Sequence, residues 1–522
     1  MIPGKFKLLT FILLASTVLT GLPAAAQVLR GAVDDDPINR VGRTASEGQR
    51  NRITPTGRRA DTARPIRQTS RRRLAGRAAT LRNPAVDTPA GTVPTLVQPR
   101  PPQQNFRSLE RPINTAVPAA GSDDLVYQGL ATPVPPRRNR PPVTDPYAPL
   151  GLRAGTLLVF PTIDTQIGFD SNPERRSGGS KSSGFSRTEA ALTLRSDFAR
   201  NELTAELRGN YSKFFSNSNA DRPEAQGRIG LRVDYSRDTA FDFELRGRID
   251  SEAPGTANLT GQAQGRPLTF QTGATAGITQ RYNRLAVSVR ATIDRQDFSD
   301  APIGNGQTLS QNDRNLTQYG LRLRTGYEVT PGLIPFLEVL VDTRQRDQAL
   351  DNAGFRRDSN SLQLRTGTSF EITRTLTGEV AAGYGLRDTS DNRLRDVRGA
   401  VAEGTLTWAI SPLTTLRLRA ATDFDETTQA GSAGALTRRL TGELSHALLR
   451  NLTITATGSA ARSEFNGINR TDDILRASLG LEYSVTRNLV LRASYVNDKT
   501  ISNTPGNSIS GNTYLFGARF QY

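Results

Sequence analysis

Arginine is the residue this chain places most regularly where chemistry could be done. Arg208, Arg228, Arg232, Arg246, Arg290, Arg322, Arg324, Arg365, Arg417, Arg419, Arg476, Arg492 and Arg519 all fall on one parity of short alternating segments. A guanidinium is a planar, permanently charged fork that grips carboxylates and phosphates bidentately. The same parity carries Glu206, Asp234, Asp242, Glu244, Glu338, Glu379, Glu403, Glu443 and Glu482. Two roles are open to such a face: rows that guide anionic solutes, or a lattice of cross-strand ion pairs that stiffens a wall. The near balance of charge favours the lattice as the main role, with a residual bias toward anions.

Other chemistry is scarce. With no Cys there are no disulfides, thiolate metal sites or Cys nucleophiles. A single histidine, His446, removes most imidazole-based metal and acid–base chemistry. A Ser–His hydrolase needs a base aimed at a nucleophile and held by a third group, and nothing marks such a set. A carboxylate pair for glycoside cleavage depends on a separation that sequence does not measure. The expectation is a protein that is not an enzyme, with no catalytic, cofactor-binding or metal residues.

The elements that hold these arginines follow from the period. In "GRIGLRVDYSRDTAFDFELRGRID", Ile229, Leu231, Val233 and Tyr235 alternate with Arg228, Arg232 and Asp234, then Phe241, Phe243 and Leu245 with Asp242, Glu244 and Arg246. A period of two means strands with one apolar and one polar face. The unit recurs as "FEITRTLTGEVAAGYG", "TWAISPLTTLRLRA" and "EYSVTRNLVLRASYV", separated by polar stretches such as "SNPERRSGGSKSSG" and "DAPIGNGQTLSQND". Short turns alternating with longer loops are the pattern of an outer-membrane barrel. Turns near Arg200, Arg237, Asn283, Pro331, Arg374, Pro412, Arg450 and Arg487, with nine loops between them, predict about 18 strands of roughly 10–13 residues. The fold class is all-β, a transmembrane antiparallel up-and-down barrel over residues 151–522. A soluble sandwich would need its apolar faces turned inward and rarely sustains this asymmetry of connections.

Charges on the lipid side are costly, so the apolar parity faces lipid and the arginines line the lumen. Strands that run down to the short turns end their apolar parity on aromatic rings: Phe198, Tyr235, Tyr282, Tyr327, Phe370, Trp408, Tyr483, and Phe520 with Tyr522. Rings at one level make an interfacial girdle. His446, after Leu440, Gly442 and Leu444, takes that position in the one remaining strand. The chain closes on "YLFGARFQY", a final strand whose Phe520 and Tyr522 are read as the signal for the barrel-assembly machinery.

The start of the chain is different. Lys5 and Lys7, an apolar stretch from Leu8 to Leu22 and Ala24-Ala25-Ala26 make residues 1–26 a secretory signal peptide. No lipoprotein cysteine follows, and no stretch reaches the ~18 apolar residues of a membrane helix. A mean hydropathy of −0.46 looks soluble, but in a barrel the two faces cancel. Residues 27–150 hold 20 Arg against 10 acids and supply most of the +17 net charge. Rich in Pro and poor in aromatics, this segment cannot offset its chain entropy and reads as disordered, on the periplasmic side. It is either a solvated linker or an arm for acidic polysaccharide or cell wall; nucleic acid is not expected of an exported chain.

The first strand, "LLVFPTIDTQIGFDSNP", has a proline-interrupted start and ends on "GFDSN", Gly168 to Asn172. With the signal peptide, the Pro/Arg-rich segment and the aromatic end, residues 150–522 resemble the putative β-barrel porin 2 family of Gram-negative bacteria. The resemblance implies a link to exopolysaccharide production and supplies no catalytic residues. A porin-like channel for an anionic polysaccharide, its fragments or small anions leads over a membrane enzyme and over a non-conducting structural or adhesive protein. Deleting Phe520 to Tyr522 is expected to block barrel assembly while export across the inner membrane continues. Heat-modifiable migration and membrane fractionation report the outcome, and a normal level of folded barrel overturns it.

Overall fold

The structure is a computed structural model and describes residues 146–522, apart from 255, 257, 260–262 and 305. The signal peptide and nearly all of the basic segment 27–150 lie outside the described residues.

Eighteen antiparallel strands run in chain order from Leu157–Asp170 to Ile509–Gln521, each bonded to the next. The ring closes where the first strand pairs with the last, from Thr162↔Gln521 to Asp170↔Thr513. A short segment, Leu152–Ala154, folds back along the start of the first strand. All eight short connections fall where the turn residues place them. Four have only two residues (283–284, 374–375, 412–413 and 450–451); Asn283 takes the left-handed backbone (φ 55°), while the other three have no positive φ and carry a register shift beside the turn. Most connections at the other end are longer, but 467–469 is as tight as a turn.

Six of the eighteen strands fall within the expected 10–13 residues and twelve are longer. The lengths run from 12 residues in Thr414–Asp425 to 16 in Gly434–Leu449. The excess lies at the long-loop end, where hairpins continue past the apolar band. There the outward parity changes character: Arg438 bonds Glu464 and Arg462 bonds Asp473, all four side chains solvent-exposed. Ion pairs of this kind belong in water, so they mark the upper limit of the lipid-facing zone.

Within that zone the parity holds strand after strand. Leu207, Leu245, Leu337, Leu364, Leu440 and Phe516 are all exposed on the outer face. The aromatic residues at the short-turn end, including Tyr235, Tyr282, Trp408 and Tyr522, are exposed too, while Phe370 lies half-buried with its ring over Gly378. His446 stands on the same parity and shares a 2.9 Å hydrogen bond between Nδ1 and Thr414 Oγ1, its partner in register.

The inner parity is less uniformly polar than the sequence suggests. Inward Phe185, Phe214 and Leu515 form one buried apolar cluster with the loop residue Ala220, and inward Val397 and Val401 lie in another with Leu394, Phe424, Ala433 and Leu436. Both sit toward the long-loop end, where loops fold against the wall and need something to pack on.

A charge on the outer face tests this facing. Leu364, half exposed near mid-strand, is followed by inward Arg365, 1% exposed. Leu364→Arg is expected to destabilise the barrel by about 2–4 kcal/mol, with Leu364→Ala costing less. Urea titration of the lipid-embedded barrel checks it; an Arg that is tolerated there would mean the face is not in lipid.

Candidate functional site

Of the thirteen arginines on the inner parity, all but Arg419 have a carboxylate close by. Arg322 donates from Nε to Glu338 at 2.7 Å, and Arg365 bridges Glu338 and Glu403 at 2.6 Å each. Arg324 holds both oxygens of Glu379 at 2.8 Å and stacks 3.5 Å from the centre of the Phe336 ring. Arg246 bonds Asp294 and reaches Glu244, while Arg228 also bonds Glu244. Arg232 and Arg290 both approach Asp242, at 3.6 Å. Arg417 bonds Glu443 at 2.6 Å, Arg476 meets Asp498 at 3.4 Å and Arg208 meets Glu189 at 3.4 Å. Arg492 and Arg519 share Asp164 and Glu482. Arg419 faces inward, exposed, with no ion pair or hydrogen bond among the described residues.

The reason is the pleat. Neighbouring strands put inward residues opposite one another, and register does the rest: Arg324 stands opposite Glu338, which stands opposite Arg365. The wall is therefore a cross-strand lattice.

Above this lattice the loops turn inward, which alternation could not reveal. The twelfth strand, Val397–Ser411, bonds the thirteenth, Thr414–Asp425, only as far as Gly404↔Ala420. Beyond that point the thirteenth and fourteenth strands stay paired up to Asp425↔Ala435 but leave their neighbour. Their outward-parity residues Phe424 and Leu436 then pack on the inward residues Val397 and Val401. A hairpin whose outer face covers its neighbour's inner face has folded into the barrel.

Three inward arginines clamp its tip. Glu426 bonds Arg346 at 2.5 Å, Arg387 at 3.3 Å and also Arg344. From the loop 347–358, Arg357 donates to the carbonyl oxygens of Thr427, Gln429 and Ser432 at 2.6–3.0 Å. Burial alone would raise the Glu426 pKa, but the three guanidiniums outweigh it and hold it down to about 2.

The hairpin also meets the far side. Asn258 Oδ1 accepts from Thr427 Oγ1 at 2.9 Å and from the Thr428 amide at 3.2 Å. Asn258 lies in the loop 252–267, which leaves the wall eight strands earlier. Loops rooted nearly half a circumference apart can touch only across the lumen. The loop 252–267 in turn holds 171–182: Arg266 donates to Pro173 O at 2.9 Å, and Arg176 donates to Ala263 O. Three loops from three sectors thus build a constriction at the long-loop end.

The "GFDSN" stretch anchors one root of it. Asp170 is fully buried and pairs with Arg175 at 2.6 Å and Arg222 at 3.3 Å. The Asn172 side chain donates to Arg176 O and Ser510 O at 2.9 Å each and accepts from Ser180 Oγ. At Gly511 any Cβ would lie 2.8 Å from the Arg175 guanidinium, so the glycine there makes room for it. Sequence reasoning singled out that motif but not its partners. Glu426, Arg344, Arg346, Arg357 and Arg387 carried no signal beyond lying in or beside polar loops.

A closed barrel with a lipid-facing band and a charged interior is an outer-membrane β-barrel of the Gram-negative type. The family model for putative β-barrel porin 2 matches residues 145–522, and the chain belongs to that family. Among solved structures, OpdQ of Pseudomonas aeruginosa is similar at 10% identity and a TM-score of 0.37, covering 70% of this chain and 97% of that one. OccAB4 of Acinetobacter baumannii is similar at 12% and 0.37, covering 70% and 98%. The siderophore receptor PiuA of Acinetobacter baumannii is similar at 10% and 0.37, covering 69% and 82%. Among curated proteins none matches the chain.

The clamp sets a test. Glu426→Gln is expected to release the hairpin tip, raising unit conductance and the hydrogen exchange of the Thr428 amide. Because the folded pKa is depressed, the clamp holds fully above the ordinary value of 4.5 and is lost as pH falls toward about 2. Wild-type conductance should therefore rise below pH 4.5, while the glutamine variant stays flat.

Proposed function

We propose that this porin-like barrel is a channel for small anionic solutes, including acidic fragments of a polysaccharide, and that it is not an enzyme. The observation that carries the reading is the inner wall of paired arginines and carboxylates, crossed by a loop constriction held by ion pairs. A wall of this kind is wet and charged, and an eighteen-stranded ring encloses an aqueous space. With the constriction closed, compact solutes suit the path better than a polymer; passage of an intact polysaccharide needs the hairpin withdrawn.

Orientation follows from the connections. Short turns face the periplasm and long loops face outward, which puts both ends of the barrel chain on the periplasmic side. The basic segment 27–150 then hangs in the periplasm, suited to acidic polysaccharide or cell wall, and the Phe520–Tyr522 end is presented to the barrel-assembly machinery. His446 supports the non-enzymatic reading: its Nδ1 is engaged by Thr414, and its parity points it at lipid.

The expected result is anion preference at low salt. Among the inner-parity residues singled out from the sequence, arginine outnumbers acid, thirteen to nine. The structure adds the inward acids Asp164, Glu189, Asp294 and Asp498, and Arg439 joins Arg419 as an inward arginine with no ion pair among the described residues. A Debye length of about 10 Å at 0.1 M lets that unpaired positive charge act across the lumen, and about 3 Å at 1 M screens it. Reversal potentials across a salt gradient decide it, for the full chain and for the barrel without residues 27–150. Cation preference overturns the solute class. A barrel that never conducts favours the structural or adhesive reading.

A further inference from the structure

Among the described residues, the paired wall leaves two uncompensated arginines side by side on the thirteenth and fourteenth strands; Arg195 and Arg281, also inward and without an ion pair, each stand alone on other strands. On the thirteenth and fourteenth strands the register runs Arg417↔Glu443, Arg419↔Thr441, Ala421↔Arg439. All of these lie on the inward parity, since Leu416, Leu418, Leu440 and Leu444 take the outward one, Leu440 and Leu444 being openly exposed. Arg417 is neutralised by Glu443. Arg419 and Arg439, diagonal to each other across the ladder, have no ion pair or hydrogen bond among the described residues. Arg419 is exposed and Arg439 half-buried. Diagonal positions of an antiparallel pair are roughly 7–8 Å apart at most, within reach for two long side chains that converge on one ligand.

The neighbouring acids are committed elsewhere. Glu403, one diagonal step from Arg419 on the twelfth strand, bonds Arg365 at 2.6 Å. Asp425 bonds Thr437 at 2.5 Å. Asp423, diagonal to Arg439, is itself a buried residue of the hairpin. The two arginines stand on the very strands whose upper ends leave the wall at Gly404↔Ala420 and fold into the lumen. A solute that passes the constriction meets them next.

We propose that Arg419 and Arg439 form the anion subsite of the lumen, binding an oxyanion (the carboxylate or phosphate of a passing solute) between two guanidiniums. The selectivity of the channel then comes from these two residues, and the paired arginines of the lattice add little. Guanidinium forks that have no protein carboxylate offer free N–H donors and an unscreened charge. A lattice arginine would first have to give up its partner, leaving a carboxylate unpaired.

This inference rests on the lumen being a path for anions, and the test separates the two. Reversal potentials and unit conductance are measured for the full chain, for Arg419→Gln with Arg439→Gln, and for the control Arg228→Gln, a lattice residue with a largely exposed side chain. Sodium glucuronate and sodium phosphate serve as separate probes against chloride at equal ionic strength, which distinguishes carboxylate from phosphate. In wild type, one or both probes should reduce chloride current in a saturable way. In the double variant that saturation should vanish and the anion-to-cation permeability ratio should fall by about twofold or more, toward unity. Arg228→Gln should keep both properties. Charge reversal, Arg419→Glu with Arg439→Glu, should invert the selectivity. Arg419 is exposed, and half-buried Arg439 has no ion-pair partner among the described residues to orphan, so these variants should fold, and heat-modifiable migration checks that they do. An anion-selective wild type whose double variant is unchanged overturns the subsite and leaves the channel reading standing. A wild type without conductance removes the channel and the subsite with it.

Discussion

Everything in this molecule depends on the meeting of Thr162 to Asp170 with Thr513 to Gln521. In hydrocarbon no water can satisfy a strand edge, and each unpaired amide or carbonyl costs several kcal/mol. A sheet that spans a bilayer must therefore return to its own beginning. Closure makes strand count, parity and register consequences of a single constraint. With both edges consumed, no charge can face the lipid, and within that zone every charge must find a place inside. The arginines are inside because no other side of the wall admits them, and they are paired because a pleated ladder sets inward residues of adjacent strands face to face.

The second level of organisation uses what closure leaves over. A ring of eighteen strands has a wide mouth, and loops filling it cannot rely on lipid or on a core. They are held by charge: Glu426 among Arg344, Arg346 and Arg387, and Asp170 between Arg175 and Arg222. Small apolar patches such as Phe424 and Leu436 on Val397 and Val401 give the loops a surface to lie against. Such contacts hold a loop in place, yet most of them respond to pH or salt more readily than a packed hydrophobic core would.

The barrel was legible in the sequence because alternation, turn residues and terminal aromatics are local signals that eighteen strands repeat. All eight short turns could be placed from residues such as Asn283 and Pro412. What was not legible is what depends on distance. Arg344 and Glu426 lie in stretches that read as an ordinary strand end and an ordinary loop, and only the fold brings them together. Two patterns also misled. The inner parity was expected to be polar, whereas Phe336 and Leu515 sit there beneath arginine or loop. The strands were expected to stop at the membrane, whereas Arg438 and Arg462 continue the ladder above it. Local period reports which face a residue takes, not how far a hairpin extends or where it bends. Arg419 shows the same limit from the other side: sequence placed it among its neighbours without showing that it lacked a partner.

One strand carries a burden in time. Leu157–Asp170 is the first strand of the barrel to be made and, since its partner ends at Tyr522, the last to be covered on both sides. Until then it offers a free row of backbone donors and acceptors, the kind of edge that recruits other chains. Pro161 lies in that row and has no N–H to offer, although its carbonyl finally accepts the amide of Tyr522. The proline that interrupts the first strand thus makes the growing sheet a poorer template for strangers while leaving the acceptor by which the last residue docks. A barrel that closes only when its last strand meets its first is exposed longest to aggregation, and its sequence blunts that edge where the rightful partner can still be received.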